Sequence, residues 1–480
     1  MKNNVKANFI YNIVYQFLTI IIPLITAPYV ARVLGPTNSG IHSYTYSISY
    51  YFVVFAMLGI NNYGNRVIAK CRDDKELLNK TFSSLFYAHI IISVLSLFLF
   101  FMFSLNFSSK YQFYFMLQSL YVFGSVIDIN WYFYGLEEFR ITVPRNIIIK
   151  ILTTISIFTF VKSESDLPIY VFILGFSSFI SQLLLYLFLH KTNVHFVKVS
   201  KKEIFNHFKP LFILFLPTFA MNLYKSMDKI MLEYMINVKS VGLYEYAERI
   251  MTLPTLFILS LGTVMLPKIS NLLSKGANDK VRTYIEKSIE FVLFLSLGMC
   301  FGLISISNEF IPIFLGNKYI DSINLLRILS ISIPFVAMSN VIQTQYLIPR
   351  EKDREYIEAL LIGVFINLLL NIFLIGKIGA IGACIATVFT ELFVMIYQFL
   401  KTKNYFNLIK CTRLFGLYFT KGLLMFIVIQ MVDLLHCSDF ITLFLKLFLG
   451  MIVYCLLNYK YIKSFIPQKF LQKGQYKHYD

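Results

Sequence analysis

The sequence predicts an all-α, polytopic membrane protein of about fourteen transmembrane helices. Three observations lead there. Hydrophobic residues make up 57% of the chain and charged residues only 15%. Apolar runs of about 20 residues recur from end to end, the length a helix needs to cross about 30 Å of hydrocarbon. No long polar stretch is left from which a soluble domain could form. Only helices suit such runs in lipid, because every backbone N–H and C=O must find its partner within its own segment.

Taken in order, the spans are 8–30, 41–60, 82–105, 111–134, 142–161, 167–189, 211–234, 241–266, 285–306, 322–348, 356–375, 378–400, 414–432 and 441–461. The stretch HKTNVHFVKVSKKEIFNHFK follows the sixth span and divides an N-lobe, 1–190, from a C-lobe, 211–400, across a linker at 191–210. Residues 401–480 add two spans and a tail, which look appended to a twelve-helix core. Six is even, so spans one and seven run in the same direction and the lobes are candidate parallel repeats. A short echo accompanies this division: GIHSY opens span two at Gly40, and GLYEY opens span eight at Gly242.

The formal charge of +18 is distributed as a topology signal. With the N-terminus inside, the inner loops and tails carry most of the Lys and Arg. The outer loops hold one each at Arg32, Lys110, Lys162, Lys239, Lys318 and Lys377, and none before span fourteen. Both termini are therefore expected on the cytoplasmic side of the cell membrane. The same surplus favours anionic lipid headgroups rather than nucleic acid.

Several spans carry polar residues at helical spacing. Span one shows Asn8, Asn12, Tyr15, Gln16, Thr19 and Thr26; span four shows Gln118, Tyr121, Ser125, Asp128 and Tyr132. Asn367 and Asn371 mark span eleven, and Glu391 marks span twelve. One reading is helix-to-helix hydrogen bonding, worth about 1 kcal/mol apiece. The other is a wet cavity, which an ionisable group such as Asp128 favours.

Span seven is the most heavily charged. At 100° per residue, Lys225, Asp228, Lys229 and Glu233 fall on one arc of roughly 140°. Glu245, Glu248 and Arg249 follow near the start of span eight. These groups either snorkel or pair among themselves, as Lys225–Asp228 or Lys229–Glu233, or they line a pathway. Two cations on one face suit a multivalent anion such as a diphosphate. Prolines in the spans, with Pro23 and Pro217 in corresponding places, permit kinks.

No phosphate-binding GxxxxGK[ST] loop, HExxH or GxSxG is present, and no loop is long enough to carry catalytic groups, so an enzyme is not expected. Six scattered cysteines and seven histidines lack ligand spacing, so neither a cofactor nor a metal is expected.

The stretch PYVARVLGP from Pro28, the Gly40 and Tyr44 pair, and GINNYGNR from Gly59 resemble the opening of the polysaccharide (oligosaccharide) flippases, the Wzx-type exporters of the multidrug/oligosaccharidyl-lipid/polysaccharide superfamily. SMDKIMLEYMI with VGLYEYAERI, and NLLLNIFLIGKIGAIGACIATVFTE, resemble the family's second lobe. The resemblance implies a V-shaped, two-lobed transporter with a central cationic cavity. Its cargo would be an undecaprenyl-diphosphate-linked oligosaccharide, moved from the cytoplasmic to the outer leaflet for capsule or other surface polysaccharide, with cations or protons exchanged. A polysaccharide polymerase and chain-length regulators would be partners beside membrane lipids. Arg32, Asp228 and Glu391 sit in matching motifs. The residues expected at cargo are Lys225, Lys229, Arg249, Arg32, Asn12, Gln16, Tyr44 and Tyr121. Those expected to balance charge or couple ions are Asp128, Asp228, Glu233 and Glu391. A drug or small-cation exporter of the same architecture and a non-transporting assembly component are the alternatives.

Overall fold

A computed structural model describes residues 5–463 apart from 193, 404 and 407, with side chains omitted at 5–17, 20 and 408. Every regular element among these residues is helical. The chain runs α1 (Val5–Met57), α2 (Ile60–Cys71), α3 (Lys75–Ser104), α4 (Ser109–Val126), α5 (Asn130–Gly135), α6 (Phe139–Phe160), α7 (Leu167–Leu189), α8 (Lys201–Phe205) and α9 (Phe208–Met235). It continues α10 (Val238–Ser274), α11 (Asn278–Leu315), α12 (Ser322–Ser330), α13 (Ile333–Ile342), α14 (Asp353–Ile378), α15 (Ala380–Lys401), α16 (Leu408–Gln430), α17 (Asp439–Leu457) and α18 (Tyr459–Lys463).

Twelve helical segments among the described residues are long and apolar enough to cross a membrane. The first of them, Ile21–Cys71, takes in span two and the end of span one, and span four falls across α4 and α5, so each of the fourteen expected spans meets a helix. The protein is a multi-pass membrane protein. The break inside α1 falls at Gly35, with φ 72°, immediately before Pro36. Glycine reaches that region of backbone space without a Cβ clash.

Three expected segments differ in detail. Span four is not one helix, because α4 stops at Val126 and α5 begins at Asn130. Span ten breaks between α12 and α13, just ahead of Pro334. The linker after span two contains α2, whose residues Ile60, Gly64, Ile68 and Cys71 form one buried face at helical spacing.

The described residues gather into two compact units, 1–246 with 360–386, and 247–359 with 387–480. In the first, α1 packs on α3, α4, α6 and α9, and α4 on α7. Its aromatic core holds Phe82, Trp131, Tyr132, Phe133 and Phe215. Here the two echoed glycines meet. A Cβ on Gly40 would lie 1.9 Å from the Val238 carbonyl oxygen, and one on Gly242 would lie 1.8 Å from that of Pro36. No side chain fits at either place, so the starts of the second half of α1 and of α10 approach backbone to backbone, the use of small residues typical of membrane helices.

In the second unit α11 is the hub, packing on α12, α13, α16 and α17. The two C-terminal spans are firmly tied to it. Tyr454 OH donates to the Phe294 carbonyl at 2.6 Å, and Tyr418 OH to Glu290 at 3.2 Å. Lys446, on α17, is fully buried and lies 2.8 Å from Glu309 on α11 and 2.7 Å from Asp433. Lys446→Met should lower the stability of the detergent-solubilised protein by about 3 kcal/mol, because it leaves Glu309 charged and buried. Lys446→Met with Glu309→Gln should recover part of that loss, as read by thermal unfolding.

Candidate functional site

An apolar helix that carries charge must find it partners, and α9 finds them on other helices of the first unit. Asp228 is buried, with 4% of its surface exposed. Its Oδ2 accepts the Tyr244 hydroxyl of α10 at 2.6 Å, and its Oδ1 accepts the side-chain amide of Asn371 on α14. Asn371 also donates to Asn367 Oδ1 at 3.0 Å, one turn away. These donors give both oxygens of the buried carboxyl group a partner away from bulk water.

Lys229 turns to a different neighbour. Its Nζ lies 2.6 Å from Glu245 Oε2, with both side chains 14% exposed. Ser43 Oγ of α1 donates to that same oxygen at 2.9 Å. Glu233, at the end of α9, accepts the Tyr111 hydroxyl of α4 on Oε1. Its Oε2 is buried with no hydrogen-bond partner among the described residues. Tyr44 is buried and sets its ring edge-on to Tyr111, with centroids 5.3 Å apart. Lys225 is exposed. The pairings Lys225–Asp228 and Lys229–Glu233 along the helix do not form; the partners come from α4, α10 and α14.

Asp128 stands apart from this cluster. It occupies the gap between α4 and α5, where its Oδ1 accepts the Asn130 backbone N–H at 2.7 Å and the Asn130 side-chain amide at 2.8 Å. This is an Asx-type turn that starts α5. Arg145 then donates to Asn130 Oδ1 at 2.9 Å and to the Ser181 carbonyl at 2.9 Å. Tyr121 is half-buried, its ring edge-on to Tyr46 with centroids 5.1 Å apart. Arg32 is exposed. Arg249 and Glu391, each half-buried, belong to the second unit. Asn12 and Gln16 lie on α1 where the side chains fall outside the described residues.

The chain has relatives of known description. Residues 5–273 match the profile of the polysaccharide biosynthesis protein family. The chain belongs to that family. All the candidate residues but Asn367, Asn371 and Glu391 lie within the matched stretch. A protein of Escherichia coli K12 named for O-antigen transport is 25% identical over 409 residues, spanning 84% of this chain and 98% of its own. One of Haloferax volcanii named for a low-salt glycan biosynthesis flippase is 27% identical over 164 residues, 34% of each chain. Among solved structures, a lipid II flippase in an inward closed conformation superposes with TM-score 0.72 at 18% identity, covering 96% of this chain and all of that one. An inward-facing multidrug transporter reaches TM-score 0.62 at 14% identity, covering 82% and 94%. The family member therefore has the fold these two transporters share.

Ser43, Tyr111 and Tyr244 were not singled out in the sequence, and Glu245 was noted as a charge that could line a pathway but was not assigned to cargo or ion. One signal for two of them was present: Ser43 and Glu245 stand three residues after the echoed Gly40 and Gly242. Tyr111 and Tyr244 had no such mark. Asn371→Leu should cost the protein about 1–3 kcal/mol, the penalty for a buried acceptor that loses its donor. Combining it with Asp228→Leu should cost less than the two separate losses summed, as read by thermal unfolding in detergent.

Proposed function

We propose that this family member is a lipid-linked oligosaccharide flippase. It moves undecaprenyl-diphosphate-linked repeat units from the cytoplasmic to the outer leaflet of the cell membrane for surface polysaccharide, capsule among them. The observation that carries the reading is a cation, Lys229, held 14% exposed on an apolar helix of a polysaccharide biosynthesis protein. Intramembrane charges are costly and mark the path of something polar. Exposed Lys225 lies one turn away on the same helix, so two ammonium groups are available to one diphosphate. The relatives' names, an O-antigen transporter and a glycan biosynthesis flippase, point to the same cargo class.

The physics of transfer is that of a split solvent. The prenyl tail is at home in acyl chains, whereas the hydrated sugar headgroup needs a polar lining across the hydrocarbon. Arg249, Arg32, Asn12, Gln16, Tyr44 and Tyr121 complete the proposed lining, with lobes 1–190 and 211–400 alternating in access about a linker at 191–210. Coupling to an ion or proton is assigned to Asp128, Asp228, Glu233 and Glu391. Buried acceptor oxygens without partners among the described residues, Glu233 Oε2 and Asn371 Oδ1 beside Asp228, support an acceptor role for two of these places. With both termini cytoplasmic, α9 runs outward and its charges lie in the outer half of the bilayer.

Deleting the gene should accumulate a lipid-linked oligosaccharide on the inner leaflet, read by extraction and mass spectrometry. Lys225→Ala with Lys229→Ala should abolish export at unchanged protein abundance. Normal export by that double variant would refute the assignment. Failure to rescue a polysaccharide-export mutant, together with drug efflux, would favour an exporter of the multidrug kind.

A further inference from the structure

Past the meeting of Gly40 and Gly242, one polar contact ties three helices together. Ser43 from α1 and Lys229 from α9 converge on a single oxygen of Glu245 from α10, at 2.9 Å and 2.6 Å. The contact lies one turn beyond the place where the two helix starts touch backbone to backbone. So the residue that neutralises Lys229 also bonds across the crossing of α1 and α10.

The geometry has a chemical meaning. A carboxylate oxygen that accepts an ammonium and a hydroxyl together offers what a phosphate oxygen offers. A diphosphate brings more negative charge and more acceptor oxygens than one carboxylate, and lysine binds phosphate as a point charge. In a partly dehydrated site that difference in charge is screened far less than in water. The stronger anion therefore displaces the weaker one from Lys229.

We propose that Glu245 is an internal stand-in for the cargo's phosphate. It occupies Lys229 in this form of the protein. A diphosphate that takes Lys229 releases Glu245 and removes the charge that draws it toward Ser43, so arrival of the headgroup loosens α1 from α10. A ligand shifts a conformational equilibrium only through its differential affinity for the two forms. That difference is built in here, because the crossed form presents Lys229 already neutralised and the loosened form presents it free. The inference rests on the proposed role of Lys229 at a diphosphate. An ion pair with a purely structural role predicts the opposite trend, since its loss would weaken the site or leave binding unchanged.

The test uses the full chain in lipid nanodiscs with farnesyl diphosphate as probe, and reads binding together with hydrogen–deuterium exchange over residues 36–46 and 238–246. Glu245→Gln should bind the probe about tenfold more tightly than the parent, because a competing state has been removed. Its two helix starts should exchange faster without ligand, as those of the parent do only with ligand. Adding Lys229→Gln should cancel the gain in affinity, since Glu245 acts only through that lysine. Ser43→Ala should speed exchange and leave affinity within about twofold, a change small enough to be a weak link rather than a lost site. Unchanged or weaker binding by a Glu245→Gln protein that melts like the parent overturns the proposal. Should Glu245→Gln not fold, unaltered exchange in Ser43→Ala and no effect of the probe on the parent overturn it equally. If the parent flips a lipid-linked diphosphate but substitution of Lys229 changes neither binding nor flipping, this proposal falls and the flippase reading stands. If the parent neither binds nor moves such a lipid, the flippase reading itself falls.

Discussion

Charge inside lipid-grade helices is the constraint on which the rest of the first unit depends. An ionised side chain in hydrocarbon costs several kcal/mol unless something answers it. Helix α9 carries Lys225, Asp228, Lys229 and Glu233 within three turns, and three of the four are answered by other helices. Tyr244 and Asn371 donate to Asp228, Glu245 pairs with Lys229, and Tyr111 donates to Glu233. The helices α4, α10 and α14 are thereby held to α9 by directional contacts, which apolar packing in lipid supplies only weakly. Lys225 alone of the four is exposed and has no ion pair or hydrogen bond among the described residues.

Small residues and polar contacts act together at the start of α10. Glycine at positions 40 and 242 lets two backbones come closer than any side chain allows. That approach sets Ser43 and Glu245 within hydrogen-bond reach one turn later. The same spacing in both helices makes the contact reciprocal. The second unit solves its own charge problem by a similar route, with Lys446 drawn between Glu309 and Asp433 so that α17 is held on α11. A buried ion pair such as Lys446–Glu309 adds little net stability over an apolar contact but punishes the loss of either partner. It also fixes which faces of α11 and α17 meet.

Asp128 shows how a polar residue in an apolar span divides between two uses. At the sequence level it reads as an ionisable group in mid-span. In the fold it stands where the helix stops, and its carboxylate takes up the Asn130 backbone N–H at the break between α4 and α5, together with the Asn130 side-chain amide. Unpaired backbone donors in a low-dielectric interior are as costly as unpaired charges. Arg145 then closes the network from the neighbouring helix.

The sequence by itself determined the class, the number of spans and the family. These follow from run length, hydropathy and local motif, which are properties of contiguous residues. Its 3.6-residue periodicity also placed the four charges of α9 on one arc and singled out Asn367 and Asn371. What it left undetermined is which charge meets which. Lys229–Glu245, Asp228–Asn371 and Glu233–Tyr111 join residues on different helices, and no periodicity within one helix reports on a partner in another. The break at Gly35 falls in the loop expected between spans one and two, whereas the break at Ile127–Ile129 and the folding of the linker after span two into α2 were hidden, because each depends on tertiary contacts that override local propensity. Glycine 40 and glycine 242 lie between the two cases. Their echo was visible in the chain, but only the folded backbone revealed that the carbonyls of Val238 and Pro36 occupy the space a side chain at each would need.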